Sequence, residues 1–455
     1  MKKYIIIILC GLMLTTLSCE DIIEADAPNN QIGSEQVFSD AQTAYSALSG
    51  LYSSLRRQSL VSGNNYGMGA LLGAYADDLD CYYNDQNGYQ DLHHNQQQAT
   101  NSVVQATWNT TYQQIYAANS ILLGVQNAAG LSLADSRQIR GEALLIRSML
   151  YFYLQAIFDG IPYTTTLDYE YNRSLSPLSR EQLLVNLESD LTQASDLLGN
   201  NYRDPERIYP NRGVAQLLLA QVYLLQEDYT GAEQAASAVL QSGLYGFQED
   251  LTEVFHKGGT HILWQVKPQY NGDSTLEAPF YYFSGSIPQS YALTQDLVMS
   301  FEPDDLRRTA WIELVENEGQ QWFRPKKYVN LSGTNFSEYS IVYRLEEVYL
   351  LLAEALAMQD KLTEAAPYLN ATRLRAGLAE IQPATREAFL EQVLLEKRHE
   401  FFTEQGIRFR DLKRMGKLNL LSAVKPGWDT YNSVWPYPQN ELLLNPNLNP
   451  QHDGY

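Results

Sequence analysis

The sequence predicts an all-α protein: a scaffold of paired helices in the tetratricopeptide-like manner, interrupted by an irregular, loop-rich lobe. Three observations carry this. Long runs place apolar residues at helical spacing. Two segments share a small-residue spacing of twelve, Ala220 to Ala232 and Ala353 to Ala365. Between them, Tyr245–Ser340 loses helical periodicity and is rich in Gly, Pro and aromatics.

In chain order, Ser39–Arg57 opens on a Ser-Asp cap and continues at helical spacing. Ala106–Ala129 and Ala134–Phe158 are long periodic runs joined by a glycine-containing turn. Pro177-Leu-Ser-Arg-Glu starts the next helix, with Ser179 as cap and Glu181 in the first turn, running to about Leu198. In Gly213–Ser242 and again in Ile341–Gly377, a Leu-Ala pair is followed twelve residues on by alanine, across a short turn. Small residues so placed let two helices pack closely, which is the tetratricopeptide logic. Within the intervening lobe, His261–Val266 is a short apolar run with strand character. Long irregular insertions on a helical scaffold commonly carry function.

Glu396–Arg414 is dense in charge yet threaded with Phe401, Phe402, Ile407, Phe409 and Leu412. Glu396, Glu400 and Glu404 share one helix face and repel one another unless cations intervene. Lys397, Arg398, Arg408 or arginines from elsewhere are the candidate partners. Gly406 is expected to end this helix, with Arg408 and Asp411 paired across the bend that follows. A buried ion-pair lattice that fixes the fold is favoured over a ligand contact.

The N-terminus reads as a secretory signal over residues 1–18: Lys2 and Lys3, then the apolar Tyr4–Leu17, then Ser18 before Cys19. The apolar run is too short to span a bilayer, which takes about 20 residues. A small residue directly before cysteine points to acylation of Cys19, although Thr16 stands where a lipobox has Leu. Residues 19–33 read as a polar tether. Of three cysteines only Cys81 lies outside the signal and the anchor, so no internal disulfide is expected. The formal charge is −21, becoming −23 without Lys2 and Lys3. So acidic a chain argues against nucleic acid and anionic membrane surfaces as partners.

The pattern Glu-x3-Glu-x3-Glu-x-Gly-x-Arg-x-x-Asp-Leu resembles the signature of SusD/RagB-like proteins, surface nutrient-binding lipoproteins of Bacteroidetes. Gln405 stands where many members have Gly or Trp, and Lys397 where they have Arg. Further blocks follow in the family's order: Gly141–Arg147 with Tyr151-Phe-Tyr and Gly160-Ile-Pro162; Arg212–Tyr245; Tyr343–Glu346, Ala353–Ala355 and Arg373–Gly377; then Trp435-Pro-Tyr-Pro, Asn445-Pro-Asn and Gly454-Tyr455. The resemblance covers residues 34–455, with helix pairs over 34–243 and 341–415 and the insertion at 245–340. It implies four tetratricopeptide-like units supporting a ligand-binding lobe. It also implies location on the outer face of the outer membrane, lipid-anchored through Cys19, and a SusC-like TonB-dependent transporter over which the protein acts as a lid.

No catalytic constellation is legible and no cofactor is expected. His399-Glu400 lacks the second histidine of a zinc-protease helix, since Thr403 occupies that position. His93-His94 has no ligand spacing to other histidines and reads as a solvated loop pair. Asp77-Asp78-x-Asp80 lacks the glycine and glutamate of a calcium loop, so no metal site is assigned. A binding reading rests on aromatics, because sugars offer C–H faces that stack on rings and hydroxyls that need polar neighbours. Tyr82, Tyr83 and Tyr89 lie in a loop with Asp80, Asn84, Asp85 and Asn87. Tyr270, Tyr281, Tyr282 and Phe283 lie in the insertion, and Trp322 follows the polar turn Glu316–Gln321. These seven rings, Tyr82, Tyr83, Tyr89, Tyr270, Tyr281, Tyr282 and Trp322, are the candidate ligand contacts, whereas Trp108, Tyr112 and Trp435 are expected in the core. The expected function is capture of oligosaccharide for transport. A peptide ligand is the alternative, and a hydrolase using an unrecognised carboxylate pair is the reading from another class.

Overall fold

The computed structural model describes residues 37–84 and 88–455. The signal, Cys19, the tether, Asp85 and Asn87 lie outside the described residues. Helix α1 spans Ala41–Arg57, where the Asp40 carboxylate accepts a hydrogen bond from the Thr43 amide. After α2 (Met68–Tyr75), β1 (Leu79–Cys81) and α3 (Tyr89–His93) come the two long helices α4 (Ser102–Gln126) and α5 (Leu133–Phe158). Helix α4 starts four residues before the expected Ala106. Asn101 caps it by accepting from the amides of Val103 and Val104, which offsets the poor helix propensity of those β-branched residues. A short helix α6 (Tyr169–Asn172) precedes α7 (Arg180–Leu197), whose cap Ser179 and residue Gln182 exchange hydrogen bonds reciprocally.

The two repeat units are α8 (Arg212–Leu225) with α9 (Tyr229–Gln241), and α13 (Leu345–Met358) with α14 (Leu362–Arg375). Ala220, Ala232, Ala353 and Ala365 are all fully buried, as close helix pairing requires. Helices α4, α5, α7, α8, α9, α13 and α14 each pack against the next. The stack is therefore continuous from α9 to α13, and the hundred or so residues between them are looped out of it. The second unit begins differently from expectation. Residues 340–344 form strand β6 (Ser340–Arg344), and the helix starts only at Leu345.

The lobe adds two small sheets to the helical scaffold. Strand β2 (Ile262–Val266), expected from His261–Val266, pairs antiparallel with β6. Helix α10 (Glu277–Phe280) precedes β3 (Tyr291–Leu293), and helices α11 (Gln295–Ser300) and α12 (Arg307–Ala310) precede β4 (Ile312–Asn317) and β5 (Gln320–Pro325). Together with β1 these form a four-stranded sheet in the order β1-β3-β5-β4. Strands of three residues carry too little alternation to be read from sequence, and β1 finds its partner more than two hundred residues away.

The charged stretch becomes α15 (Arg386–Phe401) and α16 (Ile407–Arg414). The first helix ends at Phe401, not at Gly406. Gly406 instead opens α16 at a φ of 61°, and a Cβ there would come within 2.8 Å of the Leu72 side chain. The three glutamates do form a buried lattice, with partners drawn mainly from other elements. Glu396 binds Arg307 at 2.6 Å. Glu400 takes Arg344 at 2.5 Å, Arg307 at 3.1 Å and Arg375. Glu404 takes Arg344 at 2.9 Å and Lys327 at 2.6 Å. Arg408 does not pair with Asp411. It binds Asp77 at 2.7 Å, while Asp411 is held by Arg414 and Lys397. Burial alone would raise the Glu400 carboxyl, but Arg375, Arg344 and Arg307 overcome this and hold it far below the usual range.

Candidate functional site

The lattice positions the four-stranded sheet. Arg398 on α15 reaches Asp78, just before β1, at 3.0 Å and Asp296, just after β3, at 2.9 Å. Lys327, two residues after β5, donates to the carbonyls of Glu400 and Phe402 at 2.9 Å each. The flanks of three strands are thus tied to one helix and its exit.

Alternation along the strands sorts the sheet into two faces. Leu79, Cys81, Tyr291, Leu293 and Ile312 turn into a hydrophobic core shared with α2, and Phe323 packs against it. The other face carries Ala292, Val315 and Trp322, covered by Phe283 and Tyr82. Strands β4 and β5 are joined by a two-residue turn, Glu318-Gly319, with φ values of 50° and 82°. That is the left-handed pair which suits a tight hairpin. Trp322 is therefore a strand residue opposite Val315 rather than a loop residue, with its ring partly buried on a fixed sheet.

Arg324, on the same face as Trp322, is held at three points. It donates to the Phe283 carbonyl at 2.6 Å and to Glu313 at 2.9 Å, and its guanidinium lies 4.2 Å from the centre of the Tyr282 ring. Tyr282 is 48 % exposed. The Tyr82 amide donates to the Ser290 carbonyl at 2.8 Å, which fixes its backbone to the end of β3. Burial pushes the Tyr82 hydroxyl up, as does the Asp80 charge, while a hydrogen bond from Trp322 works against them. Asp80 is also raised by burial, with Lys425 opposing, and its carboxylate takes no hydrogen bond from any described residue. It opens onto a polar cleft of about 490 Å³ bordered by His94, Gln96, Asp296 and Lys425.

Of the expected contacts, the structure brings Tyr82, Tyr282 and Trp322 together on one platform. Tyr83 and Tyr89 form a second group, stacked at 4.8 Å, with Tyr83 edge-on to Tyr291 at 5.5 Å and the Tyr89 hydroxyl accepting from Asn65 at 2.6 Å. Tyr281 packs inward against the same core and is only 5 % exposed, so it offers no ring face to a ligand. Tyr270 stands apart at 68 % exposure, in a loop bridged to Asn335 through Gly272. Arg324 and Glu313 were not singled out from sequence. The signal for them was the alternation on either side of Glu318-Gly319.

The remaining motifs resolve into structure. Asp77 and Asp78 are taken by Arg398 and Arg408. His93 is not a solvated loop residue. It ends α3, half-buried, beside Lys425 at 3.0 Å, and burial together with that lysine pushes it down to about 3. His399 is buried against Phe301 with ring centres 4.2 Å apart. Trp108 and Trp435 are core residues and Tyr112 packs beside them. Among the described residues no cluster suited to a metal ion occurs and no helix is long and apolar enough to cross a membrane.

A helical-repeat scaffold interrupted by a lobe with small sheets is also the architecture of known proteins. Residues 35–224 match the SusD-like family described as starch-binding, associating with the outer membrane, and residues 299–455 match the SusD family. The chain belongs to the SusD/RagB-like family. SusD-like protein P25 of Formosa agariphila is 25 % identical over 98 % of both chains. The structure superposes on a SusD superfamily protein from Bacteroides vulgatus with a TM-score of 0.78 at 22 % identity, covering 92 % of this chain and all of that one. It also superposes on surface glycan-binding protein A of Bacteroides thetaiotaomicron, solved with laminarihexaose, with a TM-score of 0.75 at 18 % identity over 90 % of this chain and 99 % of that one. At such identities the structural likenesses establish the fold.

Proposed function

We propose that this protein captures oligosaccharide at the cell surface on the Tyr82–Trp322–Tyr282 platform and passes it to a SusC-like TonB-dependent transporter, without bond chemistry of its own. The observation that carries the reading is the pairing of Trp322 and Tyr82 on the outer face of a pinned sheet, with Arg324 backing Tyr282. Rings so fixed stack on a sugar at little entropic cost. Asp80, Glu313 and Arg324 supply the charged hydrogen-bonding groups that sugar hydroxyls require. A fold shared with a protein solved with laminarihexaose supports the ligand class. Anchoring through Cys19 and closure over the barrel as a lid complete the proposal. Family membership and the lipoprotein-like N-terminus support both.

Calorimetric titration with laminarihexaose tests it. Tyr82→Ala with Trp322→Ala is expected to weaken binding at least about fivefold, since each ring contact is worth about 0.5–1.5 kcal/mol beyond area burial. Unchanged affinity in that double variant would remove the platform from consideration. Tighter binding of an extended peptide than of any oligosaccharide would reassign the ligand.

A further inference from the structure

A groove lies away from the sheet, between α4, α6 and the C-terminal helix α17 (Gln439–Leu444), with a volume of about 550 Å³. That size is within the range of ligand sites. Trp108, Tyr112 and Tyr116 stand at intervals of four on α4 and so form one stripe. The stripe climbs out of the core. Trp108 is 4 % exposed, Tyr112 is partly buried with its hydroxyl donating to the Pro162 carbonyl at 2.7 Å, and Tyr116 is 51 % exposed. Tyr169 on α6 faces the same groove at 63 % exposure. Two tyrosine rings thus border one groove with much of their surface still in water.

The polar groups of the groove divide in the same way. Asn172 and Asn445 are spent on Thr166 and Leu175 carbonyls. Gln113 and the hydroxyls of Tyr116 and Tyr169 make no hydrogen bond with any described residue. One cation, Arg173, paired with Glu170 at 3.5 Å and 6.0 Å from the centre of the Tyr169 ring, and one carboxylate, Glu441, border the groove, so it carries little net charge in a chain of charge −21. A cationic peptide would find little complementary charge here and an anion little attraction. Exposed ring faces with uncommitted amide and hydroxyl groups suit a neutral polyhydroxylated chain.

We infer that this groove is a second carbohydrate site, which holds a further stretch of a long neutral glycan through Tyr116 and Tyr169. The inference rests on the glycan reading of the platform, and one experiment separates the two. Wild type, Tyr116→Ala with Tyr169→Ala, Tyr82→Ala with Trp322→Ala, and the quadruple variant are run in native gels containing laminarin, starch, xylan or galactomannan. For whichever polysaccharide retards the wild type, the groove variant should bind at least about fivefold more weakly, the loss of two ring contacts. The platform variant should keep residual retardation that the quadruple variant lacks. A groove variant retarded as strongly as wild type would overturn the inference and leave the platform standing, with a protein partner then the better occupant. Loss in the groove variant with none in the platform variant would support the groove and sink the platform. Wild type retarded by none of the four would overturn both.

Discussion

At the scale of single residues, buried charge is the main theme, and its partners decide which way each group titrates. Glu400 is surrounded by three arginines and stays ionised. Glu347 is not so well supplied. It accepts from Gln221 at 2.5 Å, but its nearest cation, Arg410, is 4.0 Å away. Burial therefore raises Glu347 to about 7, with Arg410 and Lys397 only partly opposing. A carboxyl raised on folding contributes stability that is complete below its unfolded value of about 4.3 and is lost as pH rises through its folded one. Glu347→Gln should keep the hydrogen bond from Gln221 and flatten the fall in stability between about pH 4.3 and 7, where wild type loses up to about 4 kcal/mol through this group. Urea unfolding of both proteins at a series of pH values checks this, and parallel curves would refute it. Such charges were legible only as a pattern. The repeat Glu396, Glu400, Glu404 announces a shared face, but nothing local to it points to Arg307, Arg344 and Arg375.

At the scale of elements, the helices were legible because their signals are local. Caps at Asp40 and Ser179 stand where the sequence puts them, and the two alanine pairs are buried as their spacing implies. Ala365→Leu would force a larger side chain between α13 and α14 and should cost about 1–3 kcal/mol by overpacking. That is to be read as a lower urea midpoint with an unchanged slope. An unaltered midpoint would mean that the helix pair is looser than its full burial implies. The strands were legible only in part. The apolar run His261–Val266 betrayed β2, but β1 and β3 are too short and their partners too distant. The site suffered the same loss. Its rings were visible as aromatics in polar loops, yet only the sheet reveals that Tyr82 and Trp322 meet while Tyr281 turns inward. Arg324 passed unnoticed because its role depends on Phe283 and Tyr282, some forty residues away.

At the scale of the whole molecule, the Glu396–Glu404 face joins parts that the chain keeps far apart. Arg307, Lys327 and Arg344 come from the inserted lobe, Arg344 at the end of its last strand, and Arg375 from the repeat stack. Removing one member strands the others, and breaking a buried pair typically costs about 3–5 kcal/mol. Glu400→Gln should lower global stability by that order, and amides of both β5 and α13 should gain hydrogen-exchange rates together. Faster exchange confined to the stack would show that the lattice does not couple the two. The acid limit follows from the same groups. Glu400 and Asp411, the latter held at about 2 by Lys397 and Arg414 against the effect of burial, are lowered on folding. Their contribution is present above the unfolded values near 4 and declines as pH drops toward the folded ones.

The direct packing of α9 on α13 bears on how such a molecule diversifies. The helical stack closes on itself without the inserted lobe, so the lobe enters and leaves at neighbouring points and its length is free to drift. Some of its side chains are not free. Arg307, Lys327 and Arg344 act as the prongs of a plug whose socket is the acidic face of α15 and its exit at Glu404. A lobe of any other shape that keeps those prongs in register can be seated on the same stack, so a new recognition surface can arise while the frame beneath it stays unchanged.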